Sequence, residues 1–230
     1  SRRLDPSMNI MQGINAQIKK SQKRVVFAEG EDPSILKAAV AFKNSKLGIP
    51  ILIGKEEKIK EQLRSIGLDE DFKIEIVSSK NTEQRKKYTK HLYKKLQRSG
   101  MLERECDHLV RNDRVTWGSC MLACGDADAM VTGGTRHHAA TIEKLNKVVE
   151  SRPGEIIFGL TMLVSKGRTV FVADTNVHDN PTAEQLVEIA ISSTRVARLF
   201  GFDPKVAFLS HSTFGKPATV RTKHVREAVE

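Results

Sequence analysis

Three polar stretches carry the residues whose types and spacing can do chemistry. The first is Thr132-Gly133-Gly134-Thr135-Arg136. It follows the apolar run Ala127 to Val131, expected as a buried strand, and precedes a helical pattern through Ile142, Leu145, Val148 and Val149. Gly133 and Gly134 let backbone N–H groups approach an anion, and the following helix offers its positive end. Arg136, expected in the first helical turn, suits a bidentate clamp on phosphate or carboxylate. The same residues also read as a tight strand-to-helix turn with a solvated arginine. The second stretch is Asp174-Thr175-Asn176-Val177-His178-Asp179-Asn180, and the third runs from Ser210 to Pro217. Asp174, Asn176, Ser210 and Ser212 are its candidate ligand groups; for each, a cap or turn hydrogen bond is the competing reading. All three stretches follow strand-like runs, so in a doubly wound sheet they are expected to converge at one edge.

Other reactive residue types point elsewhere. His137 and His138 are adjacent at a helix start and diverge by about 100°. With His178 and His211 they lack acid-rich spacing, so no metal site is expected. Cys106, Cys120 and Cys124 are odd in number, and Cys120 and Cys124 lack a second pair at zinc spacing. They read as reduced thiols of a cytoplasmic protein. The net charge of +10 invites nucleic acid. The basic residues after Arg85, however, recur along a helical face, and aromatics are only 5% of the chain, too few for a stacking ladder. An acidic small ligand or partner surface accounts for the charge as well. No apolar run is long enough to cross a bilayer, so neither nucleic acid nor membrane is an expected partner.

The elements that must position these loops alternate. Arg24–Ala28, Ile49–Gly54 and Lys73–Val77 read as strands. Pro33 to Phe42, with Asp32 as N-cap, reads as a helix, as do Lys55 to Ile66 and Thr82 to Gln97, and the stretch 102–123 reads as helical and more apolar. Further on, Ile156–Val164 and Thr169–Ala173 read as strands around a Lys166-Gly167 turn. A helix opens at Pro181-Thr182 and ends near Gly201, and Lys205–Leu209 reads as a last strand. The fold class is α/β: two-lobed, with mainly parallel, doubly wound sheets and helices on both faces. Residues 1–21 are expected as a leader from an upstream domain, 22–150 as a first lobe and 151–230 as a second, incomplete lobe. The division falls at Glu150-Ser151-Arg152-Pro153-Gly154, and a cleft there is the expected ligand site.

Several motifs together resemble the phosphate acetyl/butyryltransferase family: Arg24 to Asp32, Ile51 to Gly54, Gly125 to Gly134, Phe171 to Val177, Pro181 to Leu186 and Val206 to Ser212. The similarity runs from about residue 22 onward. Within that family, Ala28-Glu29-Gly30-Glu31-Asp32, Gly134-Thr135-Arg136 and the leader Arg3 to Met11 are most similar to the C-terminal phosphotransacetylase-like domain of bacterial NADP-dependent malic enzymes. That resemblance implies a parent that oxidatively decarboxylates malate to pyruvate, with NADP and a divalent metal in its upstream half. It also implies a domain that binds acetyl-CoA, or a related acyl-CoA, as an effector and aids homo-oligomer assembly. On this reading no cofactor belongs to the chain itself, and its partners are the acyl-CoA, the upstream catalytic domain and further copies.

The chain departs from the active transferases at points the resemblance identifies. They carry an arginine where Glu143 stands and another where Leu96 stands, with Arg98 only a neighbour. Their catalytic Ser-Arg pair and following Asp lie beyond the last strand-like run seen here. Acyl transfer to phosphate needs cationic stabilisation of phosphate and of a developing oxyanion. No catalytic residue is therefore assigned, and Thr132, Gly133, Gly134, Arg136, Asp174, Asn176, Ser210 and Ser212 are expected to line an acetyl-CoA or phosphate cleft. The chain alone is expected to be inactive as a transferase. Two alternatives remain: a phosphate acetyltransferase converting acetyl-CoA and phosphate to acetyl phosphate and CoA, and an assembly module with a vestigial cleft.

Overall fold

The computed structural model describes residues 6–68, 72–165, 168–213 and 216–230, with the backbone alone for 6–12. The expected Lys166-Gly167 turn, Phe214-Gly215 and the leader before Pro6 lie outside the described residues. Two compact units divide the described residues, one of residues 15–150 and one of 151–230 together with 6–14. Helix α1 (Pro6–Lys20) spans that division.

The 15–150 unit is built on a four-stranded parallel sheet. Strands β1 (Lys23–Phe27), β2 (Gly48–Ile53), β3 (Glu75–Val77) and β4 (Ala129–Val131) lie in the order β3-β2-β1-β4. The strand period of two sorts the side chains. Val26 with Ala28, and Ile51 with Ile53, face one core; Phe27 and Leu52 face the other. The second face is covered by α2 (Pro33–Asn44) through Leu36, Ala39 and Val40, and by α3 (Glu56–Ser65) through Ile59 and Leu63. Covering the first face are α4 (Thr82–Leu96), α5 (Glu103–Asn112), α6 (Arg114–Ala123) and α7 (His138–Val148). They contribute Tyr88, Leu92, Cys106, Val110, Trp117, Cys120, Met121 and Val148. Tyr88 and Trp117 meet edge to face at 5.0 Å. Burial pushes the Cys120 thiol up to about 12, and all three cysteines are free.

Local chemistry sets the helix ends. The Asp32 carboxylate accepts from the Ser34 and Ile35 amides ahead of α2, whose first residue is Pro33. Gly67 and Gly100 take φ of 79° and 87°, the left-handed conformation that ends helical segments. Pro50 stands within β2 before β3 begins to pair at Ile51, where its missing N–H costs no ladder bond on that side.

The stretch 102–123 is helical in two pieces: Asp113, with φ −122° and ψ 115°, ends α5 and N-caps α6 by accepting from the Thr116 amide. One expectation for this unit is corrected. The run 127–131 is not a buried strand. Only Ala129–Val131 pairs, as the outer strand beside β1, so Val131 is left 43% exposed while Ala127, just before the strand, is buried.

In the 151–230 unit, β5 (Leu160–Ser165) and β6 (Arg168–Ala173) form an antiparallel pair. Phe171 on β6 packs against Phe200 and Phe202 at the end of α8 (Ala183–Leu199). Thr182 caps α8 in a reciprocal arrangement with Gln185, and α9 (Val220–Val229) follows. The expected strand at Lys205–Leu209 is corrected. That run has no ladder partner among the described residues, and Val206 and Leu209 are 52% and 86% exposed. β-rich composition alone does not make a strand, because the hydrogen bonds must come from a neighbour. Among the described residues no helix is long and apolar enough to cross a membrane.

Candidate functional site

The turn after β4 holds an anion already, and it belongs to the protein. Glu29, at the end of β1 and 4% exposed, accepts through Oε1 from the Gly133 amide at 3.0 Å and the Thr132 hydroxyl at 3.1 Å. Because β1 and β4 are parallel neighbours, their carboxyl ends place Glu29 beside Thr132. The other oxygen, Oε2, is buried with no hydrogen-bond partner among the described residues. Gly133 has φ 97°, which suits glycine, and a Cβ on Gly134 would lie 3.0 Å from Ile35 Cδ1. The glycines thus permit a tight turn packed on α2 and an amide aimed at a carboxylate.

Arg136 is not in the first turn of α7, because the helix begins at His138 with His137 as its N-cap residue. Its guanidinium instead donates to Asp113 Oδ1 at 2.8 Å, which ties it to the α5–α6 break. Asp113 also accepts from Lys144 at 2.7 Å and from the Thr116 hydroxyl at 2.7 Å. Burial alone would raise the Asp113 carboxyl, but the Lys144 and Thr116 hydrogen bonds outweigh it and hold the carboxyl below its usual range. Arg136 remains 36% exposed along its side chain. It is therefore a cation with one acid on its inner side and solvent on the other.

The remaining candidates belong to the 151–230 unit. Asp174, its side chain 4% exposed, accepts from the Gly159 amide at 2.7 Å, from the His178 amide at 3.0 Å and meets His178 Nδ1 at 2.6 Å. Its carboxylate organises the loop after β6. Asn176 sits in that loop with φ 75°, a conformation asparagine tolerates. Ser210 and Ser212 form a local pair, Oγ to Oγ at 3.1 Å, with the Ser212 amide donating to Ser210 Oγ at 3.2 Å. Thr132 and Gly133 are thus joined through Glu29, Asp174 is tied to His178, and Ser210 is tied to Ser212. His178 is a satisfied imidazole on Nδ1, and no metal-binding cluster occurs among the described residues.

Glu29 and Asp113 are the residues that sequence reasoning passed over. The signal for Glu29 was an acid closing a β-rich run before Gly30; for Asp113, an Asp three residues before Thr116 in an otherwise continuous helical stretch. At the two positions where the resemblance implies arginines, Leu96 packs against the core and Glu143 pairs with Lys147 one turn on at 2.8 Å. The Lys147 hydrogen bond keeps the Glu143 carboxyl lowered.

Comparison with known proteins gives a consistent set. The family described as phosphate acetyl/butaryl transferase matches residues 9–230. The NADP-dependent malic enzyme of Rhizobium meliloti is 40% identical over 100% of this chain, which spans 30% of that relative's length. A phosphate acetyltransferase of Nitratidesulfovibrio vulgaris is 33% identical over 96% of the chain and 31% of its own length. Among solved structures, a phosphotransacetylase from Streptococcus pyogenes superposes with a TM-score of 0.84 at 27% identity, over 96% of this chain and 67% of that one.

Proposed function

This chain belongs to the phosphate acetyl/butaryl transferase family and matches the C-terminal phosphotransacetylase-like region of NADP-dependent malic enzymes; from that premise we propose that it serves as the effector-binding domain of such an enzyme. On this reading the parent oxidatively decarboxylates malate in an upstream half that holds NADP and a divalent metal. This domain binds acetyl-CoA, contributes to a homo-oligomer and works in the cytoplasm. Within the 15–150 unit the effector contact is Arg136, whose side chain is 36% exposed, and the domain carries no acyl transfer of its own.

The observation that carries the reading is the filling of the phosphate-like turn by Glu29, together with Leu96 and Glu143. Transfer to phosphate requires preorganised donors and cations at a dianion. Here the Gly133 amide faces a carboxylate, one arginine position is a half-buried leucine packed against the core and the other is an acid. The test is a pair of measurements on one preparation: acetyl-CoA binding by calorimetry, and acetyl phosphate formation from acetyl-CoA and phosphate. Binding without product is expected; sustained acetyl phosphate formation would overturn it.

A second reading, phosphate acetyltransferase, is favoured by one observation. The Nitratidesulfovibrio vulgaris transferase is as similar, at 33%, as the NADP-dependent malic enzyme of Salmonella typhimurium. The same product assay separates the two.

A further inference from the structure

Helices α4 and α5 pack side by side over one face of the four-stranded sheet. Tyr88, Thr89 and Leu92 are the buried side of α4, and Cys106 and Val110 that of α5. A helix turns about 100° per residue, so Lys86, Lys90 and Lys94 fall on the outward side of α4, and Arg104 and Arg111 on the outward side of α5. All of them are exposed, and none makes an ion pair with a described residue. The acids of the same two helices are accounted for. Glu83, Glu103 and Glu105 stand in first turns, where the positive helix end favours them. Asp107 accepts from Thr89 at 3.3 Å and pairs with Arg85 at 3.2 Å.

Elsewhere the chain balances such lysines. Lys60 pairs with Glu56 at 2.7 Å, Lys147 with Glu143 at 2.8 Å and Lys223 with Glu227 at 3.5 Å, each one turn away on its own helix. On α4 the residue one turn from a lysine is another lysine. Like charges at that spacing repel and weaken a helix, so the row works against folding and calls for a partner that supplies acids. The chemistry of the face narrows that partner. Among the described residues, neither α4 nor α5 exposes a large hydrophobic side chain. Insertion into lipid and stacking on bases both use such side chains. A second copy of this chain, at net charge +10, brings charge of the same sign. Carboxylates on a facing helix, repeated one turn apart, match the spacing of the lysine row.

We propose that the outward face of α4 and α5 docks an acidic protein helix, with its carboxylates set against Lys86, Lys90 and Lys94 and its flank reaching Arg104 and Arg111. This surface is separate from the turn filled by Glu29, and the proposal does not rest on the effector reading.

The test titrates the protein with a fluorescein-labelled, alanine-based peptide whose glutamates repeat one helical turn apart. A second peptide of the same composition carries its glutamates contiguously. Fluorescence anisotropy is expected to show the spaced peptide binding about tenfold tighter than the contiguous one, and binding should weaken as salt is raised. The Lys86→Gln/Lys90→Gln/Lys94→Gln variant is expected to bind the spaced peptide about tenfold more weakly, the sum of several exposed pairs. Its urea midpoint should hold or rise, because the repulsion along α4 is gone. The Lys20→Gln/Lys37→Gln/Lys205→Gln variant removes the same charge from exposed positions elsewhere and should bind as the parent chain does. Equal loss in both variants, or equal binding of the two peptides, would overturn the proposal. A lower urea midpoint in the α4 variant would make the row structural and also overturn it. Tighter binding of a short DNA duplex or of phosphatidylserine vesicles, lost in the α4 variant, would overturn the assignment of a protein partner.

Discussion

The Glu29 carboxylate accepts the Gly133 amide at 3.0 Å across 104 residues of sequence. This contact ties the end of β1 to the turn after β4, and it does so with a charge of the sign an incoming phosphate would carry. Local structure and function are coupled here: the glycines that make an anion-accepting turn also make a turn that the protein closes on itself.

Removing that carboxylate should loosen the turn. Glu29→Ala is expected to cost about 1.5–3 kcal/mol, the range for hydrogen bonds to a charged group. Glu29→Gln retains an acceptor for the Gly133 amide and should recover at least half of that loss. Urea denaturation of the three proteins checks the order. Equal stability of Glu29→Ala and the parent chain would mean that the contact contributes nothing net.

Acid should weaken the 15–150 unit for a stated reason. Asp113 and Asp126 both have carboxyls below the usual 3.8, where burial opposes the shift and hydrogen bonds from Lys144 and Thr116, and from Lys87 and Tyr88, outweigh it. A carboxyl lowered on folding stabilises fully above its unfolded value, and that stabilisation is lost as pH falls through the folded value, here from about pH 4 downward. Lys144→Met should be less stable than the parent chain at pH 7, and the two urea midpoints should converge as the pH drops below about 4. Parallel curves would exclude Asp113 as a source of the acid sensitivity.

Gly118 supports the sheet from the other side. A Cβ there would collide with the Met130 sulfur on β4 and lie 3.3 Å from Ile53 Cδ1 and 3.4 Å from Val26 Cγ1. Gly118→Ala should therefore gain helix propensity yet lose stability, by about 1–3 kcal/mol as for other overpacked cores. A stabilised variant would show that Met130 repacks without cost.

What was legible in the sequence was what is local. Asp32 before Pro33 and Thr182 before Ala183 read directly as helix starts, because a cap and its amides lie within three residues. The alternation of strand and helix in the first 150 residues gave a parallel sheet for the same reason. Illegible features depend on partners far along the chain. Arg136 looked like a helix-start cation because nothing near it reveals Asp113, 23 residues earlier, as its acid. Lys205–Leu209 has strand composition, but pairing depends on a neighbour that composition does not specify. Glu29 stood in plain view within a recognisable motif, yet only the β1–β4 adjacency shows that it faces Thr132 and Gly133.

Arg136 decides between an effector contact and a structural clip. Arg136→Ala leaves Asp113 with Lys144 at 2.7 Å and with Thr116, so no buried carboxylate is stranded. The loss of a pair 36% exposed on the arginine side should then cost about 1 kcal/mol or less. An effector acts only through its different affinity for two states of a protein, so weakening its contact reduces the coupling and spares the basal rate. In a malic enzyme carrying this domain, the variant should shift the acetyl-CoA titration of malate oxidation by about ten- to a hundredfold, the equivalent of one charge-assisted contact of roughly 1.5–3 kcal/mol. The rate without acetyl-CoA should stay nearly unchanged. If the titration does not move while urea stability falls by the expected amount, Arg136 serves only to pin the turn to the α5–α6 break, and the effector is held without it.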